Sequence, residues 1–169
     1  MLIESLILGI IVALIRKGKI NNLGLIQLER ISFLFFALIL QLIIDFFGRI
    51  TLGQLGSIVH FTSYLLLFYF YWFNRNRLNI LIPIGLALNF LVISFNNFSM
   101  PVHTSYMPKD VILKLSNSVT HSIMTSNTKL SWLGDIFYIS WPVKQMLSVG
   151  DIFLDLGIFF LIQKIMVKN

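Results

Sequence analysis

Apolar residues in this chain run in blocks, without the strict alternation of a half-buried strand or the polar face of a surface helix. Five blocks stand out, at about residues 2–15, 31–47, 57–73, 78–98 and 151–167. A helix crosses a bilayer with roughly 20 apolar residues. The pattern therefore predicts five membrane-spanning helices, the first of them short. Polar residues gather between the blocks. Residues 17–30 keep Ile20, Leu23, Leu25, Ile26 and Leu28 among their polar positions, as an interfacial turn or helix would. The long connection 99–148 is too apolar for a free loop. Met107-Pro108 looks like a helix start, and Val111, Ile112, Leu115 and Val119 follow at helical spacing. An amphipathic surface helix is expected over about 108–124. Residues 130–149, with Trp132, Tyr138 and Trp141, suit an interfacial or re-entrant segment. The expected fold class is an all-α integral membrane bundle of about five transmembrane helices with an amphipathic or re-entrant extracytoplasmic segment, forming one domain over 1–169.

Composition agrees. Hydrophobic residues make up 57% and charged residues 12% of the chain, and the mean hydropathy is +0.85. Soluble domains average about 45–50% apolar and about 25% charged, so soluble, disordered and fibrous classes are excluded. The net charge of +6 would suggest nucleic acid for a soluble protein. Here the cations flank apolar blocks, where membrane orientation accounts for them, and no nucleic-acid partner is expected. Arg16, Lys17, Lys19, Arg30, Arg75, Arg77, Lys164 and Lys168 fall on one side of a five-span arrangement, eight of the 13 Lys and Arg residues. By the positive-inside rule the N-terminus lies outside and the C-terminus in the cytoplasm. The first block has Glu4 where a signal peptide has cations, and no small-residue cleavage site follows, so it reads as a retained span. The absence of cysteine excludes disulfides, thiolate metal sites and a Cys nucleophile.

In this orientation the polar residues of the spans converge on the outer face. Asp45 lies near the end of the second span, and His60 and Thr62 near the start of the third. Asn96 and Asn97 end the fourth, and Asp151 and Asp155 open the fifth. His103, His121 and Asp135 belong to the outer segment. Carboxyls within spans are costly and tend to face the bundle interior and pair. Each has a plainer reading: Asp151 or Ser148 as a helix cap, His60 as a packed interface residue, and mid-span Asn89 as a bridge between helices. The gathering of so many on one face points further, to a ligand site built from Asn96, Asn97, Asp135, Asp151, Asp45 and His60. Asp135, Asp151 and Asp155 are the candidate catalytic carboxyls. A metal site from His60, His103 or His121 with Asp135 has no supporting ligand spacing, and no cofactor is expected. Partners are the bilayer and a lipid, small molecule or membrane protein.

Three phrases occur in order: Asn96-Asn97-Phe98-Ser99-Met100-Pro101, Leu133-Gly134-Asp135 and Ser148-Val149-Gly150-Asp151. With the basic first connection they resemble an uncharacterised family of small bacterial multi-pass membrane proteins, a domain of unknown function. The resemblance implies a bacterial plasma membrane and no activity. A shorter stretch, Trp141-Pro142-Val143 followed by Ser148-Val149-Gly150-Asp151, resembles the last conserved stretch of lipoprotein signal peptidases. It implies Asp151 as one of two catalytic aspartates, with Asp135 standing in for the second. The Asn-x-x-x-Asp-Arg phrase of those enzymes is lacking. The leading expectation is a polar outer-face binding site. The alternatives are an intramembrane aspartyl hydrolase and a small transporter component, the latter motivated by Pro83 and Gly85 as a break in the fourth span.

Overall fold

The computed structural model describes residues 2–141 and 144–167. Pro142 and Val143, part of the signal-peptidase-like phrase, and Lys168, one of the cations used for orientation, lie outside the described residues.

The chain is mostly helical. Helix α1 is Leu2–Ile15 and α2 is Ile31–Asn74. The latter is broken by Gly48 (φ 70°) and Gly53 (φ 51°), whose positive φ suits glycine alone. The break yields α2a (Ile31–Gly48) and α2b (Leu52–Asn74), so the third block begins five residues earlier than its apolar run. Helix α3 is Leu81–Phe95, α4 is Lys109–Ser116 and α5 is Val149–Met166. Pro83 sits in the first turn of α3, where a missing N–H leaves no helical bond unmade. The helix is continuous past it, so the break that motivated a transporter reading is absent. Ile20–Leu25 forms a 3-10 turn.

The outer segment departs from the all-α expectation. Helix α4 stops at Ser116, because Val119 and Thr120 turn the chain into a short strand. That strand, β2 (His121–Ile123), pairs in parallel with β1 (Met100–Val102), placing Met100 beside His121. After a 3-10 turn at Ser131–Leu133, β3 (Phe137–Ile139) pairs antiparallel with β4 (Gln145–Leu147). Within the stretch expected to be re-entrant, Phe137–Ile139 and Gln145–Leu147 thus satisfy one another's backbone. Asp135 is tied to the β1 stretch, its N–H donating to Pro101 O at 2.9 Å and its carbonyl accepting from His103 N at 2.9 Å, and the next residue, Ile136, donates to Leu147 O of β4 at 3.0 Å.

Side-chain ties fix how the helices run. Asn74 exchanges hydrogen bonds with the backbone of Glu29, both 2.9 Å, and Gln41 donates to Ser63 at 3.0 Å, so α2a and α2b form an antiparallel pair. Helix α3 packs antiparallel to α5 through glycines. A Cβ on Gly85 would meet the carbonyl of Gly150 at 2.5 Å, and one on Gly157 would meet Ile82 at 2.7 Å. Helix α1 runs parallel to α5, with Gln163 donating to Gly9 O at 2.7 Å. Ala13, Ile162 and Met166 form the core there. Val92, Ile93, Met100 and Leu133 form a second core, on which the outer segment rests.

This arrangement gathers a cluster of cations at one end, while Lys114 lies at the other, beside Asp45. Arg16, Lys17, Lys19, Arg77 and Lys164 border a hollow of about 780 Å³ at one end of the bundle. Asp45, Asp135 and Asp151 border a cavity at the other. The flanks between are apolar and exposed: Phe46 is 85% accessible and Leu42 69%. Of the five expected spans, α2a and α2b are long and apolar enough to cross a membrane. With 14 and 15 residues, α1 and α3 reach about 21–23 Å at 1.5 Å per residue. Helix α5 has 18 residues but carries Asp151, Asp155 and Lys164.

Candidate functional site

The acidic end holds a cavity of about 290 Å³ walled by α2a, α2b, α3, β1, β2, β4, Asp135 and the first turn of α5. Its floor is a hydrogen-bond knot. Asn89, buried in the middle of α3, donates to Asp151 Oδ1 at 2.8 Å and accepts from Ser148 Oγ at 2.8 Å. Ser148 Oγ accepts in turn from Asp151 N at 2.9 Å, and Asp151 Oδ2 accepts from Ser148 N at 3.0 Å. Ser148 is therefore the N-cap of α5 and Asp151 its reciprocal partner, a capping box. Both oxygens of Asp151 are held, and the carboxylate lies at the end of α5 where the helix dipole favours it.

The wall opposite is a relay through the outer segment. Thr120 Oγ1 donates to Asp45 Oδ1 at 2.7 Å and lies 2.8 Å from His121 Nδ1. A hydroxyl has one proton to give. With that proton on Asp45, Nδ1 of His121 is the donor and Nε2 carries the lone pair. Nε2 lies 3.8 Å from Asp135 Oδ2, too long for a hydrogen bond. Burial pushes the Asp135 carboxyl up to about 8, with the nearby charge of Asp151 adding to it. Burial also holds the His121 imidazole below its ordinary value, against the pull of Asp45. Near neutral pH the two are a protonated acid facing a neutral base, a juxtaposition and not an ion pair. Asp135 is 5% exposed, and its Oδ1 makes no hydrogen bond among the described residues.

His60 completes the wall. Its Nδ1 lies 2.7 Å from Phe98 O, so Nδ1 is the donor and Nε2 again carries the lone pair. Its ring meets Tyr64 edge-on, with centroids 5.5 Å apart.

The structure brings four of the expected ligand-site residues to this cavity: Asp45, His60, Asp135 and Asp151. Asn96 and Asn97 are elsewhere. Asn96 donates to Val92 O at 2.7 Å and Lys129 O at 2.8 Å and accepts from Lys129 N at 3.0 Å, so its amide is spent clamping the 125–131 loop onto the end of α3. Asn97 is exposed with φ 54°, turning the chain in a conformation that Asn tolerates better than most residues. Asp155 lies one turn deeper than Asp151 and is buried outside the cavity; neither of its oxygens makes a hydrogen bond among the described residues. His103 meets Tyr106 instead of the cavity. Among the described residues no three His, Asp or Glu converge as metal ligands would.

Thr120, Tyr64 and Gln41 line the cavity without a ligand signal of their own in the sequence, and His121, weighed there as a metal ligand, lines it too. Tyr64 follows His60 by one helical turn, a spacing that carried the signal. Thr120 and His121 reach the cavity through the pairing of β2 with β1, which three-residue strands do not announce.

Residues 25–163 match a family described as "Family of unknown function (DUF5317)". Every cavity-lining residue falls within the matched stretch. An uncharacterized protein of Thermotoga maritima is 34% identical over 100 residues, covering 57% of this chain and 58% of that protein. The chain thus spans under two thirds of this relative's length. No solved structure matches.

Asp135 keeps in the fold a proton that the unfolded chain has lost, so it makes stability fall as pH rises from the ordinary carboxylate range to about 8. His121, held low, acts oppositely, and its effect ends near the unfolded histidine value of about 6.5. Between about pH 6.5 and 8 the Asp135 slope is left unopposed by His121. The thermal midpoint of the detergent-solubilised protein is expected to fall across that window, and Asp135→Asn to flatten the fall. An equal slope in the variant contradicts the assignment.

Proposed function

Since the chain belongs to the DUF5317 family of unknown function, no activity comes with kinship, and we propose that it is a multi-pass plasma-membrane protein whose outer-face cavity binds a small ligand or lipid headgroup. In this reading five helices cross, with the cationic end in the cytoplasm, the N-terminus outside and the C-terminus inside. Lipid covers the exposed flanks of α2a and α2b. The short α1 and α3 are accommodated by bilayer thinning and by the connections that extend them. The carboxyls of α5 turn inward to α3 and α1. One observation carries the reading: all three cavity carboxyls lie at the end opposite the cation-lined hollow. That is the separation the positive-inside rule produces, with a polar site left on the other face.

A second reading, an aspartyl hydrolase, draws on a protonated Asp135 and the carboxyl of Asp151 lining one cavity. Acid and base sharing one water is the required arrangement. The engagement of both Asp151 oxygens by Asn89 and Ser148 favours binding over this chemistry.

The absence of native cysteine allows a direct test of sidedness. Ser105 and Asn76 are exposed at opposite ends of the bundle. Ser105→Cys is expected to react with a membrane-impermeant maleimide in intact cells, and Asn76→Cys only after permeabilisation; the reverse pattern overturns the orientation. For the site itself, native mass spectrometry of the purified protein is expected to show a bound species whose occupancy drops about tenfold, about 1.4 kcal/mol, in Asp45→Asn and Asp151→Asn. Equal occupancy in both variants contradicts the cavity as its site.

A further inference from the structure

The cavity wall is rich in acceptors, with the Tyr64 hydroxyl and the Gln41 and Gln145 amides among them. Asp45 and Asp151 present carboxyl groups, and among the described residues no Lys or Arg borders the cavity. His60 and His121 spend their Nδ1 protons on Phe98 O and Thr120 Oγ1, leaving Nε2 as a lone pair on each. Gln41 spends an amide proton on Ser63. Asp135, 5% exposed and on the same wall, has an oxygen with no hydrogen-bond partner among the described residues. An unpaired carboxyl in a dry site is costly unless something satisfies it, and a negative cavity with low-dielectric walls concentrates cations.

From this wall we infer that the occupant is a primary ammonium group, on a free amine or on an aminophospholipid headgroup, and that it enters in exchange for the proton of Asp135. The inference rests on the binding reading above. A metal ion is disfavoured, because among the described residues no three ligands converge. A compact ammonium with three donors fits about 290 Å³ and a wall of oxygens and imidazole lone pairs. The exchange balances: the ammonium brings one positive charge, Asp135 becomes a carboxylate, and one proton leaves to water. The groups that face Asp135 are His121 from β2, Asp151 from α5, His60 and Tyr64 from α2b and Asp45 from α2a. Burial of Asp135 supports the exchange, since it keeps the proton in place until a cation arrives.

The test uses the full chain in phosphatidylglycerol nanodiscs, titrated calorimetrically with ethanolamine between pH 6 and 8 in two buffers of different ionisation enthalpy. Binding is expected to release close to one proton at the acid end of the range and to tighten about tenfold per pH unit below the Asp135 value. Asp135→Asn, near-isosteric and checked for folding by its thermal midpoint, is expected to bind without pH dependence or proton release. Asp45→Asn is expected to weaken binding severalfold and keep the pH dependence. A parallel arm replaces a tenth of the lipid with phosphatidylethanolamine: its retention through purification, displaced by excess ethanolamine, assigns the headgroup as the source, and binding of ethanolamine alone assigns the free amine. Failure of both probes to bind, or binding with no proton release, overturns the inference. If native mass spectrometry then finds a neutral or anionic species lost in Asp151→Asn, the cavity remains a binding site and only its cation selectivity is refuted.

Discussion

One buried amide sets the architecture of the acidic end. Asn89 sits in an otherwise apolar stretch of α3 and joins that helix to the cap and first turn of α5 with two hydrogen bonds. In a membrane each such bond is worth on the order of 0.6–2 kcal/mol, but leaving the amide unmet would cost more. The bonds are reachable because Gly85 and Gly150 let the two backbones touch; a Cβ on Gly150 would run into the Asn89 side chain. The close approach fixes the register of α3 against α5, which fixes Ser148 as a cap and Asp151 as its partner. The floor of the cavity follows from that register.

The distribution of charge follows from the solvent on the flanks. With apolar side chains facing outward along α2a and α2b, titratable groups are confined to the two ends or turned inward. Cations collect at the end where Asn74 clamps Glu29 and Arg77 meets Glu29 at 2.8 Å. Carboxyls collect where α2a, α3 and α5 meet the outer segment. That segment walls one side of the cavity: its two small sheets are joined at Asp135 and Ile136, whose backbones bond to β1 and β4 respectively, and the Asp135 side chain lines the cavity. Structural and chemical roles coincide in one residue.

The sequence was most legible where its signal was long. Apolar blocks located the helices to within a few residues, because burial or lipid contact needs continuous apolar surface. Basic clusters marked one end of the bundle correctly, since Arg16, Lys19, Arg77 and Lys164 do lie together. The gathering of Asp45, His60, Asp135 and Asp151 was visible once helix direction was assigned. Short-range features were not. Three-residue strands are below the length at which alternation can be read, so the pattern of this segment reads as helix and re-entrant chain. Asn96 and Asn97 sit beside a proline turn like ligand residues, yet their amide and backbone are consumed in building the turn. The break at Gly48 and Gly53 is identified by positive φ, which no composition pattern shows.

If the Asn89 knot holds the outer segment to the bundle, loosening it should be felt in a defined region. Hydrogen exchange on Asn89→Leu in nanodiscs measures this directly. The account predicts lost amide protection at 145–151 and across β1, β2 and Asp135, with α1 and α2b unchanged. Protection unaltered at 145–151, or lost equally everywhere, would contradict it.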